Sequence, residues 1–344
     1  MQLLDGTAYE AVRPLLTETI SRHATAAAIL AGALEGKVWA NDPVRPSVTL
    51  ISDGEASYLA GDPAQLAEPE ALRALIPAWT YFFPEANWVS QLSSIWDNPF
   101  ARPHPRLRFE LERAEPDGGL PAGFELVPIN RNSVAGYPAL YEFAEGEGGG
   151  WRSFEDFLDI GVGYVVLRDG GVVSHSLADC VVGNRAELGV ETQDGYRRLG
   201  LGRAAAAAAV NECLRRGIVD VGWHCHASNA GSIRLAEATG FRLQDQYFGY
   251  SSNLPAENVG DLSEAQCRDW AAHLELAAES VLWHGFHAGG AWALAGEPER
   301  ALGCLDRMVS AGWRGRADWL EQHWAYAAIR GSAEFKAIVA RQRG

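Results

Sequence analysis

The sequence predicts an α+β protein in which two strand-rich segments precede a helical one. Two short turns carry the strand prediction, because Asp53-Gly54 and Asp169-Gly170-Gly171 each join two strand-like runs in the way that tight hairpins do. After Leu254-Pro255 the apolar residues recur at helical spacing. We therefore expect antiparallel strand pairs followed by a small all-α segment.

Length and composition indicate two or three folded units. With 344 residues and 47% hydrophobic content, each unit can bury a core of ordinary size. A formal net charge of -15 disfavours a nucleic-acid or membrane binder and is compatible with a cationic small-molecule partner such as an amine. The first residues do not resemble a leader peptide, and no window approaches about twenty uninterrupted apolar residues, so we expect a cytoplasmic protein.

The five cysteines predict neither a disulfide framework nor a metal site. They lie far apart without paired spacing, which suits a reducing compartment. In the run Trp223-His224-Cys225-His226 the two imidazoles would share a strand face and the thiol would lie on the opposite face. We therefore expect no metal ligation here, with His224 lining a cleft or surface and His226 supporting the following loop.

The first segment is expected to form a domain of its own, without a catalytic constellation. Proline and glycine are dense between Glu115 and Gly123, which indicates a boundary. The predicted domains are therefore residues 1–120, 121–255 and 256–344. In the first of these, helices are predicted over Tyr9–Leu34 and Glu68–Phe83, and strands over Ser47–Ser52, Glu55–Ala60 and Leu107–Glu112.

The second segment alternates strands with helices before the chain turns fully helical. The predicted strands are 124–129, 163–168, 172–180, 186–192 and 219–225, with a pair of strand-like runs between 241 and 251. Its predicted helices are 133–144, 153–159, 201–216 and 231–238, and those of the third segment are 263–282, 285–295, 299–311, 319–329 and 333–343. Consecutive alanines from Ala204 to Ala209 give one helix a thin face that can pack closely on a sheet.

A glycine turn follows one predicted strand and opens the alanine-rich helix. The backbone N–H groups of such a turn have no helical partner and point into one small space at the positive end of the helix dipole. Glycines keep β-carbons out of that space, and arginines add charge around it. The sequence predicts a pyrophosphate site there, formed by Arg197, Arg198, Leu199, Gly200, Leu201, Gly202 and Arg203.

These residues resemble the GNAT acetyltransferases, whose Arg/Gln-x-x-Gly-x-Gly/Ala signature is matched by Arg197, Gly200 and Gly202. Within that superfamily the sequence is similar to the group of the zwittermicin A resistance acetyltransferase. The further matching runs are 161–164, 186–192, 196–197, 225–237 and 240–241, and more loosely 29–32, 36–39 and 46–47. The resemblance implies tandem GNAT-like folds with mixed, mostly antiparallel sheets. The N-terminal fold would be degenerate and lack the phosphate loop.

The resemblance also implies acetyl-CoA as the acetyl donor. Its pantetheine arm would lie between two splayed strands, 186–192 and 219–225, and bond to main-chain groups near Val190 and Thr192. Asn229 and Ser232 fall where the family places a helix that flanks the cofactor. As ordinary residues at a helix start, both could equally lack a ligand.

The implied reaction is the direct attack of a primary amine on the thioester. Glu187 matches the family's strand glutamate and is the expected base, and period two would put Glu191 on the same face, so that both could address one substrate nitrogen. Either could instead be a solvated sheet residue. Many GNAT enzymes have a tyrosine, acting as an acid, at the position of Ala236. The acid could instead be Cys225, which we predict to be catalytic, or His226, Tyr247, Tyr250 or a water. It could also be absent, because coenzyme A thiolate is a tolerable leaving group.

The helical segment leaves the type of acceptor open. Residues 288–313 resemble one tetratricopeptide-type hairpin, which suits a stabilising appendage, a homo-oligomer contact or a protein partner. We expect a small-molecule amine as the acceptor and neither nucleic acid nor membrane as a partner. The alternatives are a non-catalytic CoA-binding regulatory module and an acetyltransferase for protein lysines or N-termini.

Overall fold

The computed structural model describes residues 1–116, 118–137, 140 and 151–344. These residues divide into two units. The larger comprises residues 1–97, 106–225 and 231–249, and the smaller comprises residues 98–105, 226–230 and 250–344. The larger unit includes residues on both sides of position 120, and the predicted domain limits stay predictions.

Twelve strands of the described chain form one sheet. In chain order they are β1 (Gln2–Leu3), β2 (Lys37–Ala40), β3 (Val48–Ser52), β4 (Ala56–Gly61), β5 (Tyr81–Pro84), β6 (Arg102–Leu111), β7 (Glu125–Pro128), β8 (Gly163–Arg168), β9 (Gly171–Val182), β10 (Arg185–Thr192), β11 (Asp220–His226) and β12 (Phe241–Ser251). Their spatial order is β1-β2-β3-β4-β5-β12-β6-β11-β10-β9-β8-β7.

The sheet consists of two similar runs that meet at its centre. Strands β1 to β4 pair antiparallel in sequence order and β4 pairs with β5 in parallel. In the same way, β7 to β10 pair antiparallel and β10 pairs with β11 in parallel. Strand β6 follows the first run in the chain and lies beside β11 of the second run. Strand β12 follows the second run and lies beside β5 of the first run.

The helices of the described chain are short in the N-terminal part and longer after residue 200. They are α1 (Tyr9–Val12), α2 (Thr17–Arg22), α3 (Ala24–Leu30), α4 (Glu70–Arg73), α5 (Leu92–Ile95), α6 (Arg131–Gly136), α7 (Phe154–Ile160), α8 (Leu201–Arg215), α9 (Ala230–Ala238), α10 (Glu264–Ala278), α11 (His284–Leu294), α12 (Pro298–Ser310), α13 (Ala317–Gln322) and α14 (Ala333–Arg343). No helix in the described ranges has the length and apolar character that crossing a membrane requires.

The alanine-rich helix packs as its sequence predicts. All of Ala204 to Ala209 are buried, and α8 lies against β8, β9 and β10. Its first turn joins a small core in which Leu201 and Ala205 contact Val166 and Val173. The side chains of α8 are small enough for its axis to approach the sheet, and this places the helix N-terminus next to the end of β10.

Two predicted helices of the N-terminal segment are wrong. The stretch Tyr9–Leu34 is interrupted by a 3-10 turn at Arg13–Leu16, which contains Pro14, and by His23, whose extended backbone (φ -112, ψ 106) separates α2 from α3. In Glu68–Phe83, only α4 is α-helical, and Tyr81–Pro84 forms β5. The aromatic residues of β5 favour a strand once β4 is there to pair with them.

Other predicted bounds also change. Strand β6 starts at Arg102 instead of Leu107, and the two runs expected between residues 241 and 251 form the single strand β12. Extended backbone at His323 (φ -60, ψ 125) divides the predicted helix 319–329 into α13 and a 3-10 turn. Helix α6 ends at Gly136, and the rest of the predicted helix 133–144 lies outside the described residues except for 137 and 140.

The smaller unit is built mainly of α10 to α14 around its own core. Leu274, Ala291, Leu305, Tyr326 and Phe335 are fully or almost fully buried there. The chain enters α10 through a reciprocal capping box between Ser263 and Gln266. All five cysteines of the chain are free and buried.

Candidate active site

The predicted phosphate loop has the backbone of an anion site. Arg198 (φ 65) and Gly200 (φ 82) both adopt the left-handed conformation, and Gly200 is the N-cap of α8. No side chain caps the helix at this end. The first N–H groups of a helix have no intrahelical acceptor, so those of α8 are available to a ligand. Arg197 fixes the approach to this turn by donating from Nε to the Thr192 carbonyl at 3.2 Å.

Close contacts at Gly202 bring three elements together beside this loop. A β-carbon at this position would lie 3.0 Å from Thr192 Oγ1, 3.4 Å from Val190 Cγ1 and 3.5 Å from Leu235 Cδ2. The start of α8, the end of β10 and helix α9 therefore meet at this glycine. Val190, Thr192 and Gly202, which were predicted to be cofactor residues, are brought together.

Strands β10 and β11 pair over only part of their length. Their register joins Arg185, Ala186 and Glu187 to Asp220, Val221 and Gly222. Beyond this point β10 continues to Thr192 and β11 to His226 without further pairing between them. The expected separation of the two strands is thus observed, and Glu187 occupies the last paired position of β10.

A β-bulge lies opposite Glu187. In the pairing with β9, Glu187 faces Cys180 whereas Leu188 faces Ala178, so that Asp179 is the additional residue. Solvent reaches Asp179, but protein atoms displace much of the water around its carboxyl group. That loss of hydration, with smaller contributions from the charges of Glu187 and Glu55, raises the pKa of Asp179 to about 7.

Glu187 also lies next to a buried histidine and tyrosine. Its Oε2 atom is 3.9 Å from Nε2 of His224, and the two side chains are 15% and 5% exposed. His224 Nδ1 lies 2.7 Å from the Tyr247 hydroxyl, which accepts a hydrogen bond from Arg106 Nε at 3.3 Å. Burial is the largest cause of the lowered pKa of His224, and it raises the pKa of Tyr247 to about 12. Both groups are therefore neutral near pH 7.

Aromatic residues of the N-terminal segment pack on this group. The ring of His23 lies 5.7 Å from that of His224 and 5.3 Å from that of Tyr247, and Phe83 lies 6.0 Å from Tyr247. Burial holds the pKa of His23 well below its usual value. Residues from both predicted GNAT-like segments thus surround the histidine and the tyrosine.

Several predicted site residues have structural partners or lie elsewhere. Ser232 of α9 accepts a hydrogen bond from the Trp223 indole at 2.9 Å. Asn229 belongs to the smaller unit, where its amide donates to the Glu257 carboxylate at 2.5 Å. His226 is also in that unit, with Nε2 3.7 Å from Glu257, as expected of a residue that supports the loop.

The other two predicted catalytic residues differ from Glu187 in their position along the strand or in the face of the sheet that they occupy. Glu191 is exposed, and four residues of strand place it about 13 Å along β10 from Glu187, which argues against both carboxylates sharing one nitrogen. Cys225 is 1% exposed and follows His224 in β11, so its side chain points to the opposite face of the sheet. Its catalytic role stays a prediction.

Ala236 is fully buried in α9, at the position where many GNAT enzymes have a tyrosine.

The residues missed by the sequence prediction are Asp179 and Arg106. An acid within the otherwise apolar run from Leu177 to Val182 was the available signal for Asp179. Within the described part of the chain, no group of three or more histidine, cysteine, aspartate or glutamate residues could hold a metal ion.

Comparisons with known proteins agree with this arrangement. An uncharacterized N-acetyltransferase of Bacillus subtilis, YdfB, is 28% identical over 237 residues, which are 65% of this chain and 88% of that protein. The crystal structure of a GCN5-related N-acetyltransferase-like protein from Streptococcus suis is 25% identical and superposes with a TM-score of 0.59, covering 71% of this chain and 98% of that one. Residues 13–250 match the family described as GNAT acetyltransferase. The chain therefore belongs to the GNAT family of N-acetyltransferases.

Proposed function

We propose that this protein transfers the acetyl group of acetyl-CoA to a primary amine of a small molecule. The observation that carries the proposal is the position of Glu187, at the point where β10 and β11 stop pairing on the strand that leads to the Gly200 turn. A carboxylate at that point can act on an amine next to a donor held between the strands.

The residues present fit acetyl-CoA. The N-terminus of α8 offers uncapped N–H groups to the pyrophosphate, and Gly202 leaves the space beside Val190 and Thr192 that a side chain would narrow. Main-chain groups of β10 beyond Glu187, which do not pair with β11, can bond to the pantetheine arm. Bound acetyl-CoA would supply the acetyl group as a reactive thioester.

The acidic residues fit the acceptor. A primary amine is mostly protonated near neutral pH, so it must lose a proton before its nitrogen can attack. We assign Glu187 to accept that proton, and Asp179, whose charge interacts with that of Glu187, to favour a cationic acceptor at the same place. A net charge of -15 also favours the approach of a cation.

We infer that the N-terminal segment is a second, degenerate GNAT-like fold. The support is the repetition in the sheet, where β1 to β5 and β7 to β11 have the same pairing order and each ends in a parallel pair. The first run has no counterpart of the Gly200 turn in its sequence. The helical hairpin formed by α11 and α12 is consistent with a tetratricopeptide-like segment.

Isothermal titration with acetyl-CoA, followed by turnover of a panel of primary amines, tests the proposal. The Glu187→Gln variant should have a kcat lower by about a hundredfold or more, because the substitution removes the base. The affinity of the variant for acetyl-CoA should be unchanged, because the cofactor loop stays intact. Glu191→Gln provides the comparison on the same strand. An unchanged rate for Glu187→Gln would contradict the assignment of the base.

The same measurements separate this proposal from its alternatives. Binding of acetyl-CoA without turnover of any amine would favour a non-catalytic regulatory module. Acetylation of a protein or peptide in preference to every small amine would favour a protein acetyltransferase instead. No binding at high micromolar concentrations of acetyl-CoA would overturn the proposal as a whole.

A further inference from the structure

Four neighbouring strands of the sheet contribute one side chain each to a continuous row. In the order β12, β6, β11 and β10, these side chains are Tyr247, Arg106, His224 and Glu187. The Tyr247 hydroxyl contacts both Arg106 and His224, and His224 reaches Glu187 through its other ring nitrogen. These side chains, which are far apart in the sequence, form a row of contacts that ends at the proposed base Glu187.

The donors and acceptors of this row indicate the direction of its hydrogen bonds. A guanidinium group can only donate, so the Tyr247 oxygen accepts from Arg106. A hydroxyl oxygen can accept two hydrogen bonds, but its own buried proton also needs an acceptor, and among the described residues the recorded partner that can accept it is Nδ1 of His224 at 2.7 Å. We therefore assign the Tyr247 proton to this bond. His224 Nδ1 is therefore an acceptor, and the neutral ring carries its proton on Nε2. Nε2 is the atom that faces Glu187.

The surroundings of His224 keep the ring neutral. Arg106, Arg108 and Arg185 act on it with positive charge, and burial opposes the charged form more strongly than Glu187 favours it. The nearby ring of His23 is neutral as well. The Tyr247 hydroxyl therefore selects a tautomer of an uncharged imidazole, instead of pairing with an imidazolium.

We propose that Tyr247 and His224 are positioning residues that hold an Nε2–H donor toward the Glu187 carboxylate. The proposal rests on the assignment of Glu187 as the base in the proposed function. At 3.9 Å the contact is longer than a hydrogen bond, and it needs a small movement or a bridging water when substrates bind. Because the Tyr247 proton is already donated to His224, this arrangement does not assign Tyr247 as the proton donor to the leaving thiol.

Nitrogen NMR of the 15N-histidine-labelled protein tests the tautomer without requiring activity. With the His224 signals assigned by comparison with His224→Gln, the wild-type ring at pH 7 should show a protonated Nε2 and an unprotonated Nδ1. Tyr247→Phe, which keeps the aromatic ring and removes the hydroxyl, should shift the ring toward a mixture of tautomers. A protonated Nδ1 in the wild-type protein, or an unchanged spectrum in Tyr247→Phe, would overturn the proposal.

Kinetics test the consequence for Glu187. Tyr247→Phe should lower kcat by roughly tenfold while leaving the KM for acetyl-CoA unchanged, since it weakens one interaction of the base and does not touch the cofactor loop. Tyr164→Phe, which removes a hydroxyl from β8 of the same sheet, is the matched control and should keep the wild-type kcat. A Tyr247→Phe enzyme with wild-type kcat would also overturn the proposal.

The two tests separate the failure of this inference from the failure of the proposed function. If no amine is acetylated by the wild-type protein, the proposed function fails while the NMR spectrum still decides the tautomer. If turnover is present and His224 carries its proton on Nδ1, the acetyltransferase proposal stands and the positioning role is lost.

Discussion

Replacing Gly200 by alanine would test whether the N-terminus of α8 holds the pyrophosphate of acetyl-CoA. Gly200 has φ 82, and a β-carbon at this position would meet no other atom within 4 Å. Steric contact with neighbouring groups therefore contributes nothing to the effect. The cost of alanine arises from the left-handed backbone alone and amounts to about 1–2 kcal/mol.

That cost can appear in two measurable quantities. If the turn keeps its conformation, the free energy of unfolding falls by about 1–2 kcal/mol while the N–H groups stay in place. If the turn relaxes to negative φ, the amides move away from the phosphate, and a loss of 1.4 kcal/mol in binding corresponds to about a tenfold higher Kd. We expect the two losses to sum to about 1–2 kcal/mol, because both originate in the same backbone strain.

The control is Gly195→Ala, in the 3-10 turn just before the loop. Gly195 is not among the residues with positive φ, and its β-carbon would also meet nothing within 4 Å. Calorimetry with acetyl-CoA and thermal unfolding, applied to both variants, should find an effect only for Gly200→Ala. Wild-type affinity together with wild-type stability in Gly200→Ala would refute the reasoning, and so would an equal loss of affinity in Gly195→Ala.

Two further predictions concern stability. The folded-state pKa of about 7 for Asp179 exceeds the ordinary value of 3.8, so the native carboxyl holds its proton where the unfolded chain has released it. The contribution of this carboxyl to wild-type stability should therefore be lost as pH rises from 3.8 to 7. Asp179→Asn should remove that dependence and be more stable than the wild type above pH 7 in thermal unfolding; equal stability at every pH would contradict the assignment. Gly240→Ala should cost at least about 2 kcal/mol in urea unfolding, because its φ is 90 and a β-carbon would lie 1.9 Å from the Arg113 carbonyl oxygen. Gly217→Ala, with φ 80 and open space, should cost only about 1–2 kcal/mol, which is the cost of the left-handed backbone. The loss should therefore be larger in Gly240→Ala, and equal losses in the two variants would show that the contact has no effect.

The sequence predicted the Gly200 turn and the helix that follows it because both are built from local structure. The left-handed turn at Gly200, the close approach at Gly202 and the helix of Ala204 to Ala209 all depend on residues within about ten positions of one another. Glycine and alanine act there through the backbone itself. Such effects can be read from a short window of sequence.

The sequence predicted the N-terminal segment less well, because its elements depend on distant partners. Tyr81–Pro84 is a strand since it pairs with β4, and β12 lies beside β5 although more than 150 residues separate them along the chain. The strand propensity of a short stretch of sequence contains no information about such a distant partner. The same limitation applies to the break at His23, which helical spacing alone did not predict.

The sequence by itself determined the α+β class and the glycine turn with its helix, and it indicated Glu187 as the candidate base. Only the tertiary structure decided the surroundings of that base. The bulge that sets Asp179 against β10 depends on strand register, and the row from Arg106 through Tyr247 and His224 requires four strands to lie side by side. Strand register and strand order are set by the packing of the whole sheet, because each strand gains its hydrogen bonds and burial only from its neighbours.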